Sequence, residues 1–277
     1  RTGDVESVFV FFQLAHAVKE LMELYKYLGA DEKYSWAEGI YAYCKSKLDV
    51  VWDGEWFLRA FDGYGDKIGS KENEYAKLFL NTQSWAILSG LASGEQSVKA
   101  MNSVKKYMVS DFGIELLYPA APGFDIEKKC FIAYSAGVRE NGAIFCHSNP
   151  WAIIAECLLG RVENAFDYYF RLLPSRRNDK AEICKVEPYV YCQNILGRAN
   201  SRHGEGANSW LTGTAAWMFI ALSQYLFGIR PDYDGVYVEP HMAESWDNMY
   251  IERVVRGVRV KVKVRRTKAS ESNNDIK

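Results

Sequence analysis

The sequence predicts a mainly α-helical fold, in which helical hairpins are followed by a small region of β-strands. Apolar residues recur at three- and four-residue spacing over most of the chain, which is typical of helices with one buried face. Three segments of similar sequence each carry a tryptophan, and successive tryptophans are 66 residues apart. After Pro231, apolar and basic residues alternate, which is typical of half-buried strands.

The composition limits the kind of protein and the kind of partner. Of the 277 residues, 48% are hydrophobic, which is enough for a sizeable core. The net charge is -1, so we expect neither nucleic acid nor a membrane as a partner. The apolar run at 8–15 is too short to span a bilayer. The six cysteines include no Cys-x-x-Cys pair, which favours a reduced, cytoplasmic protein.

The helices are predicted from this spacing in chain order. The first hairpin covers 6–28 and 31–51, and Gly29 between them is a typical helix stop. The same periodicity predicts further helices at 83–91, 96–108, 151–159, 162–173 and 214–226.

The three similar segments suggest an arrangement for these helices. They read NTQSWAILSG from residue 81, HSNPWAIIAECLLG from 147 and TGTAAWMFIALSQYLFG from 212, and they contain Trp85, Trp151 and Trp217. A fixed period of this length fits a repeated helix pair with a long connection, and such pairs close naturally into an α/α toroid. The three helices would then begin at equivalent places around its ring. The alternative is a chance coincidence of three tryptophans.

Strands are predicted at 236–240 and 250–266. The basic residues of the second stretch all fall on one face, where they could meet nucleic acid; we favour the simpler interpretation that they protect an exposed sheet edge. The polar stretch 269–277 is predicted to be disordered.

A candidate anion site lies before two of the repeated helices. His147 precedes a helix whose start is marked by Ser148, and Thr212 and Gly213 precede the helix that begins at 214. An imidazole, a hydroxyl and free backbone N–H groups could hold an anion the size of phosphate. The alternative is structural, with Thr212 as an ordinary helix cap and His147 as a hydrogen-bonded core histidine.

Carboxylates among aromatic residues form a second candidate group, because an unpaired carboxylate is costly there. These are Asp53, Glu55, Glu140 and Glu187. Two of them facing each other across a cavity could cleave a glycosidic bond by acid and base catalysis. Salt bridges with Arg59 or Arg139 would explain the same residues. The four histidines are too scattered to predict a metal site.

Six ordered motifs carry a resemblance to a known family. They read WDGEWFLRAFDGYGDKIGSKENE, GIELLYPA, VRENGAIFCHSNPW, VEPYVYCQ, SWLTGTAAW and GIRPDYDGVYVEP. In these motifs, over nearly its whole length, the chain resembles the inverting glycoside phosphorylases of the cellobiose and chitobiose phosphorylase family, glycoside hydrolase family 94.

The resemblance implies phosphorolysis of a β-linked, cellobiose-like disaccharide. Inorganic phosphate attacks and gives an α-sugar 1-phosphate of inverted configuration and a free sugar. One carboxylic acid protonates the leaving oxygen, while phosphate replaces the water of an inverting hydrolase. No cofactor is implied beyond phosphate as co-substrate. The family also implies a homodimer for the full-length protein.

Site residues follow from matching the family motifs. His147, Thr212 and Gly213 match the phosphate site. Positions that match or lie near the sugar sites are Tyr134, Arg139, Glu140, Glu187 and Gln193. Two departures concern the acceptor sugar, because Cys130 stands where cellobiose phosphorylases carry a glutamate and Arg139 replaces their lysine. The resemblance therefore does not fix the acceptor.

The resemblance also implies which part of the enzyme this is. The family's acid belongs to an Asp-Trp-Asn-Asp-like motif that would precede Arg1, so we expect no catalytic acid in this chain and no activity of the chain alone. Residues 1–230 are expected to form a partial (α/α)6 catalytic barrel, 231–268 a C-terminal β-region and 269–277 a disordered tail. Alternatives are an inverting hydrolase on the same barrel, with Glu140 or Glu187 as base, and a non-catalytic carbohydrate-binding or structural fragment.

Overall fold

The computed structural model of the chain describes residues 5–123 and 132–267. The α-helices of the described residues are α1 (Val8–Tyr27), α2 (Asp31–Ser46), α3 (Leu48–Val51), α4 (Leu80–Leu88), α5 (Gly94–Tyr107), α6 (Asn149–Leu158), α7 (Val162–Leu172), α8 (Ala181–Cys184) and α9 (Thr214–Ile220). Short 3-10 segments cover Cys146–Ser148 and Pro174–Lys180, and α9 continues as a π-helical segment over Ala221–Leu226.

The strands are short. Within the described residues they are β1 (Glu6–Ser7), β2 (Ala60–Phe61), β3 (Lys67–Ile68), β4 (Leu78–Phe79), β5 (Val109–Ser110), β6 (Gly113–Ile114), β7 (Leu117–Tyr118), β8 (Ile144–Phe145), β9 (Cys192–Ile195), β10 (Gly206–Ser209), β11 (Ile229–Pro231), β12 (Val236–Val238), β13 (Asn248–Val255) and β14 (Val258–Arg265).

The longer helices form two layers. Helices α1, α4, α6 and α9 contact one another in that order and make an inner row, and α2, α5 and α7 pack against α1, α4 and α6 from outside. Helices α4 and α6 are almost completely buried, so the core lies along the middle of the row. The predicted mainly helical class with small sheets is confirmed. The row does not close into a ring among the described residues, and the (α/α)6 barrel stays a prediction.

Local chemistry accounts for most helix ends. The Ser7 hydroxyl accepts a hydrogen bond from the Val10 N–H at 3.3 Å and begins α1, and Gly29 follows the helix with a φ of +64°. The helix predicted over 31–51 is broken after Ser46, because the Lys47 N–H bonds to the Cys44 carbonyl three residues back and tightens the last turn.

The 66-residue repeat corresponds to a structural repeat. The rings of Trp85 and Trp151 lie 5.4 Å apart, those of Trp151 and Trp217 lie 5.9 Å apart, and the third pair is at 6.5 Å. Each ring comes from a different inner helix, and all three meet at one point. The chance interpretation of the spacing is therefore unnecessary.

A three-stranded antiparallel sheet of order β10-β9-β8 joins the connections that precede the inner helices α6 and α9. In its register Phe145 lies opposite Asn194, and Cys192 lies opposite Ser209. Because β8 ends shortly before His147 and β10 ends shortly before Thr212, this sheet brings two distant segments side by side.

The C-terminal strands form two hairpins, β11 with β12 and β13 with β14. Arg256 and Gly257, with φ of 49° and 80°, make the two-residue turn of the second hairpin. The β11–β12 pair joins segments on either side of the boundary predicted after residue 230, and the domain division stays a prediction. The predicted tail at 269–277 lies outside the described residues.

The described residues contain neither a membrane-spanning helix nor a cluster of metal-ligating side chains. No helix there combines the length and the apolar composition needed to cross a membrane. In the same part of the chain, no three or more histidine, cysteine or acidic side chains are grouped as they would be around a metal ion.

Candidate active site

His147 and Gly213 are in direct contact. A Cβ atom placed on Gly213 would lie 3.1 Å from Cε1, 3.4 Å from Nε2 and 3.5 Å from Nδ1 of the His147 ring. The Gly213 backbone has a φ of -81° and a ψ of 5°, which other residues adopt easily. A side chain at this position is disfavoured by the nearby imidazole, which would have to shift by a few tenths of an ångström, and not by the backbone conformation.

The His147 ring is half-buried between aromatic side chains. Its centroid lies 5.1 Å from the Trp151 ring and 6.5 Å from the Trp217 ring. Burial lowers the pKa of His147, so the imidazole is neutral at neutral pH. Its Nε2 atom is buried and has no hydrogen-bond partner among the described residues. His203 Nε2 is also buried without a partner among the described residues, so the feature that distinguishes His147 is its contact with Gly213.

Thr212 precedes Gly213, which is the N-cap residue of α9 and has no side-chain cap. The Thr212 Oγ1 accepts a hydrogen bond from the Thr214 N–H at 3.2 Å and lies 2.5 Å from the Thr214 hydroxyl. Thr212 is therefore not the helix cap of the structural alternative. A threonine hydroxyl has one donor and two acceptor positions, so these contacts leave capacity for a further hydrogen bond.

Asn149 fixes the turn that carries His147, a role that no sequence pattern indicated. Its Oδ1 accepts from the Ile114 N–H at 2.7 Å, and its Nδ2 donates to the carbonyls of Ile114 and Phe145 at 3.0 and 3.2 Å. The Asn149 side chain is fully buried. It therefore ties the start of α6 to strand β6 and holds the 3-10 segment that contains His147.

Tyr134 and Arg139 form a pair on the connection before β8. An Arg139 Nη1–H donates to the Tyr134 hydroxyl at 3.2 Å, and the guanidinium lies 5.3 Å from the tyrosine ring. Arg139 has a φ of 45°, a costly conformation for a residue with a side chain. The buried Asn141 amide holds the segment by donating to the carbonyls of Ala121 and Tyr134, at 2.8 and 2.7 Å.

Glu187 and Gln193 each contact a residue near β10. The Trp210 indole N–H donates to Glu187 Oε1 at 3.1 Å, and Asn208 Nδ2 donates to Gln193 Oε1 at 3.0 Å. Hydrogen bonds from the Glu187 backbone and from Trp210 lower the pKa of the Glu187 carboxyl. Trp210 is 64% exposed beside Tyr189, which is 75% exposed, so an acidic group lies next to two open aromatic faces.

Other predicted residues are placed elsewhere or lie outside the described residues. Asp53 accepts from the Ser70 hydroxyl at 3.0 Å, and Glu55 accepts from the Ser103 hydroxyl at 3.0 Å. These carboxylates have structural partners, although not the arginines named as candidates. Glu140 is exposed. Cys130 lies outside the described residues.

The chain matches one protein-family model over most of its length. Residues 1–228 match the model described as the Glycosyl hydrolase 94 superfamily, catalytic domain. The chain belongs to this family. The resemblance drawn from the six motifs is thereby confirmed.

Several curated relatives of this glycosyl hydrolase 94 chain are named as phosphorylases, and another is named as a cyclic beta-(1,2)-glucan synthase. It is 35% identical over 258 residues to the solabiose phosphorylase of Paenibacillus borealis, covering 92% of this chain and 34% of the relative. It is 36% identical over 268 residues to the N,N'-diacetylchitobiose phosphorylase of Vibrio proteolyticus, covering 95% of this chain and 33% of that one. The glycosyl hydrolase 94 chain thus spans about a third of the length of these two phosphorylases.

A solved structure shares the fold. The GH63 mannosylglycerate hydrolase from Thermus thermophilus, in complex with glucose, superposes with a TM-score of 0.53 at 16% identity, covering 80% of this chain and 47% of that one. At this identity the likeness of the glycosyl hydrolase 94 chain to that hydrolase concerns the fold alone.

Proposed function

We propose that this chain is part of an inverting glycoside phosphorylase. The protein cleaves a β-linked disaccharide with inorganic phosphate and releases an α-sugar 1-phosphate and a free sugar. The two phosphorylases described above support this reaction class. The observation that carries the proposal is the His147 ring lying against Gly213, next to Thr212, with a buried nitrogen that lacks a partner among the described residues.

His147, Thr212 and Gly213 hold the phosphate in this proposal. The neutral imidazole donates one N–H to a phosphate oxygen, and a neutral donor leaves more negative charge on the attacking oxygen than an imidazolium would. The Thr212 hydroxyl and the Gly213 backbone N–H add two further donors. The surrounding tryptophan rings exclude water, which is the competing nucleophile.

The sugar units contact the second group of residues. Tyr134 and Arg139 offer a hydroxyl and a guanidinium, and Gln193 and Glu187 offer an amide and a carboxylate beside the open Trp210 face. Glu140 belongs to the same proposal through its position in a family motif, and Cys130 through its spacing from His147, which matches that of the glutamate in cellobiose phosphorylases. The acid that protonates the leaving oxygen is supplied by a part of the protein outside this chain, so the isolated chain is inactive.

Further properties of the whole protein follow as proposals. The inner and outer helices belong to an (α/α)6 barrel that other segments complete. The protein is cytoplasmic and homodimeric, needs no cofactor, and takes phosphate as co-substrate.

The test compares phosphate dependence in the full-length protein. Cellobiose, N,N'-diacetylchitobiose and solabiose are each incubated with and without inorganic phosphate, and sugar 1-phosphate and free sugars are quantified. We expect cleavage only with phosphate. His147→Gln should reduce kcat/KM for phosphate at least about 100-fold, as expected for loss of a donor to a charged group at the reacting centre.

His203→Gln is the matched control. His203 is also half-buried, contacts the Phe112 ring at 5.2 Å and has a pKa lowered by burial, but it lies outside the site. It should leave phosphate kinetics unchanged. Equal loss of activity in both variants, or cleavage at the same rate without phosphate, would contradict the proposal.

An inverting hydrolase is the second candidate, and the observation that fits it is the Glu187 carboxylate beside the exposed Trp210 and Tyr189. Glu187, hydrogen-bonded by Trp210, or Glu140 would then activate water. A hydrolase releases two free sugars at a rate that phosphate does not change, and Glu187→Gln would abolish that rate. A non-catalytic carbohydrate-binding fragment would instead bind the disaccharides tightly as the isolated chain, which calorimetric titration of chain 1–277 would detect.

A further inference from the structure

The three repeated segments contribute residues at equivalent positions, and two of these residues belong to the candidate active site. His147 and Gly213 each stand four residues before one of the three repeated tryptophans. The same spacing from Trp85 leads to Asn81 in the first turn of α4. Asn81 is thus the counterpart of His147 and Gly213 in the first of the three repeats.

The packing places these counterparts around one point. The three tryptophan rings meet, and a residue four positions earlier on a helix lies about one turn closer to the N-terminal end, on the same face. The second and third counterparts, His147 and Gly213, are in contact. Helix α4 packs against α6, and the Trp85 ring contacts the Trp151 and Trp217 rings. Asn81 lies one turn before Trp85, which is the basis for assigning it to the same region.

Polar atoms at this side lack partners. Asn81 Oδ1 and Trp85 Nε1 are buried without a hydrogen bond among the described residues, as is His147 Nε2. Trp85 is only 7% exposed. Buried polar atoms in folded proteins are in most cases hydrogen-bonded to protein groups or to ordered water, so these atoms have hydrogen-bonding capacity that the described residues leave unused.

Two neighbouring polar side chains of the same helix are engaged. The Gln83 amide bonds to the N–H and the carbonyl of Phe57, both at 2.9 Å, and the Ser84 hydroxyl donates to the Leu80 carbonyl at 3.1 Å. Thr82 Oγ1, also on α4, is buried without a hydrogen bond among the described residues as well, so the unpaired atoms of this helix are those of Asn81, Thr82 and Trp85.

We propose that Asn81 and Trp85 contact the glycosyl unit of the substrate and form a third side of the site to which His147 and Gly213 contribute. This inference rests on the proposed function of that site. The unpaired Asn81 oxygen accepts a hydrogen bond and the unpaired Trp85 indole donates one. A sugar hydroxyl does both, as do water and the P–OH group of hydrogen phosphate. The proposal commits to a sugar hydroxyl next to the bound phosphate, and the separate phosphate and disaccharide kinetics below distinguish these groups.

The test varies phosphate and disaccharide independently in the full-length protein, using the disaccharide that is cleaved fastest in the screen above. Asn81→Ala should lower kcat/KM for the disaccharide about 5- to 10-fold, the value of one neutral hydrogen bond, and leave the KM for phosphate within about 2-fold. Asn81→Asp keeps the acceptor oxygen but adds a negative charge beside the phosphate. It should raise the KM for phosphate more than about 10-fold, with a smaller effect on the disaccharide.

Asn102→Ala and Asn102→Asp are the controls, because Asn102 is exposed on the outer helix α5 and its side chain accepts a hydrogen bond from Arg161 there. They should change neither KM. Trp85→Phe removes the indole N–H but keeps an aromatic ring, and it serves as a second variant if Asn81 variants fold poorly. It should also lower kcat/KM for the disaccharide.

The inference is overturned if folded Asn81→Ala and Trp85→Phe proteins keep both KM values within about 2-fold of the parent, since one lost hydrogen bond exceeds that range. It is also overturned if both Asn81 variants lose phosphate and disaccharide affinity equally, as a purely structural residue would. Cleavage without phosphate by the unmodified protein would instead contradict the proposed phosphorylase function. The disaccharide KM of Asn81→Ala, or its disaccharide affinity by calorimetry, would then still decide the inference.

Discussion

At the scale of single residues, the site depends on one glycine whose backbone is ordinary. Position 213 carries a glycine, and the His147 ring lies against the space that a side chain would enter there. The sequence predicted His147, Thr212 and Gly213 as one anion site, and the structure brings His147 and Gly213 into contact. The contact itself, with the ring lying where a side chain of residue 213 would be, could not be predicted from spacing.

Gly213→Ala tests this contact. The new Cβ would lie 3.1 Å from the His147 Cε1 and push the ring away from its position. We expect the KM for phosphate to rise about 10-fold or more in the full-length protein, equivalent to about 1.4 kcal/mol, with little change in the disaccharide KM. Initial-rate kinetics with phosphate as the varied substrate measure it.

Gly235→Ala is the matched control, because nothing lies within 4 Å of a Cβ placed there. Its phosphate kinetics should equal those of the parent. An unchanged phosphate KM in Gly213→Ala would show that the His147 position does not matter for phosphate.

At the scale of elements, α6 and α7 share a buried acid. Glu156 is 0% exposed and pairs with Arg161 at 2.8 Å, near the buried Tyr168. Burial raises the pKa of the Glu156 carboxyl from 4.5 to about 7, and this outweighs the opposing effect of Arg161. The neutral acid is therefore the form that the helix pair favours.

The raised pKa of Glu156 makes the free energy of unfolding depend on pH. Between pH 4.5 and about 7 the folded state holds a proton on Glu156 that the unfolded state has lost. The stability from this group is full below that window and falls as pH rises through it, by roughly 3 kcal/mol at most. Glu156→Gln mimics the neutral acid and should flatten the dependence.

Urea unfolding of the chain at a series of pH values measures the difference. The exposed Glu182→Gln on α8 is the control, and it should retain the slope of the parent. A Glu156→Gln protein whose free energy of unfolding falls with pH as steeply as that of the parent would refute the assignment.

The elements were predictable from the sequence to different degrees. Helices with one apolar face, such as α1 and α7, appear close to where their periodicity places them. Helix α4 begins at Leu80, three residues before its predicted start, because the polar Asn81 and Thr82 looked like a connection. Their burial against other helices is decided by tertiary packing, which local spacing does not encode.

Roles that depend on long-range hydrogen bonds were not predictable. Asn149 and Asn141 are engaged with backbone groups many residues away, and an asparagine beside a helix start reads simply as a cap or a turn. Trp210 was similarly missed, since its partner Glu187 comes from another segment. The family motifs indicated Glu187, and the structure shows that Trp210 is its hydrogen-bond partner.

At the scale of the whole molecule, the inner row has two open ends. Val10 and Leu14 of α1 are 56% and 48% exposed, and Phe219 of α9 is 59% exposed. Helices α1 and α9 are the first and the last of the row, so apolar surface remains at both ends. The inner helices between them are covered on both sides.

We expect the chain of 277 residues to self-associate when it is produced alone, because contiguous apolar surface is unfavourable in water. Leu14→Lys combined with Phe219→Lys should shift it toward the monomer in sedimentation velocity. Trp36→Lys is the control, since Trp36 is 59% exposed but lies on the outer helix α2. A chain that is monomeric at micromolar concentration without any substitution would contradict this expectation.

The β10-β9-β8 sheet also sets the order in which the molecule can acquire its proposed activity. His147 and Gly213 are 66 residues apart along the polypeptide, whereas the two helices of each hairpin are close neighbours. Contacts between distant segments close large loops and form late in folding, after local helix pairs. A chain still emerging from the ribosome presents His147 and Trp151 first, and the proposed anion site is incomplete until the segment that carries Thr212, Gly213 and Trp217 has emerged and β10 has paired with β9. Phosphate added during refolding should therefore stabilise the finished state without accelerating the early steps.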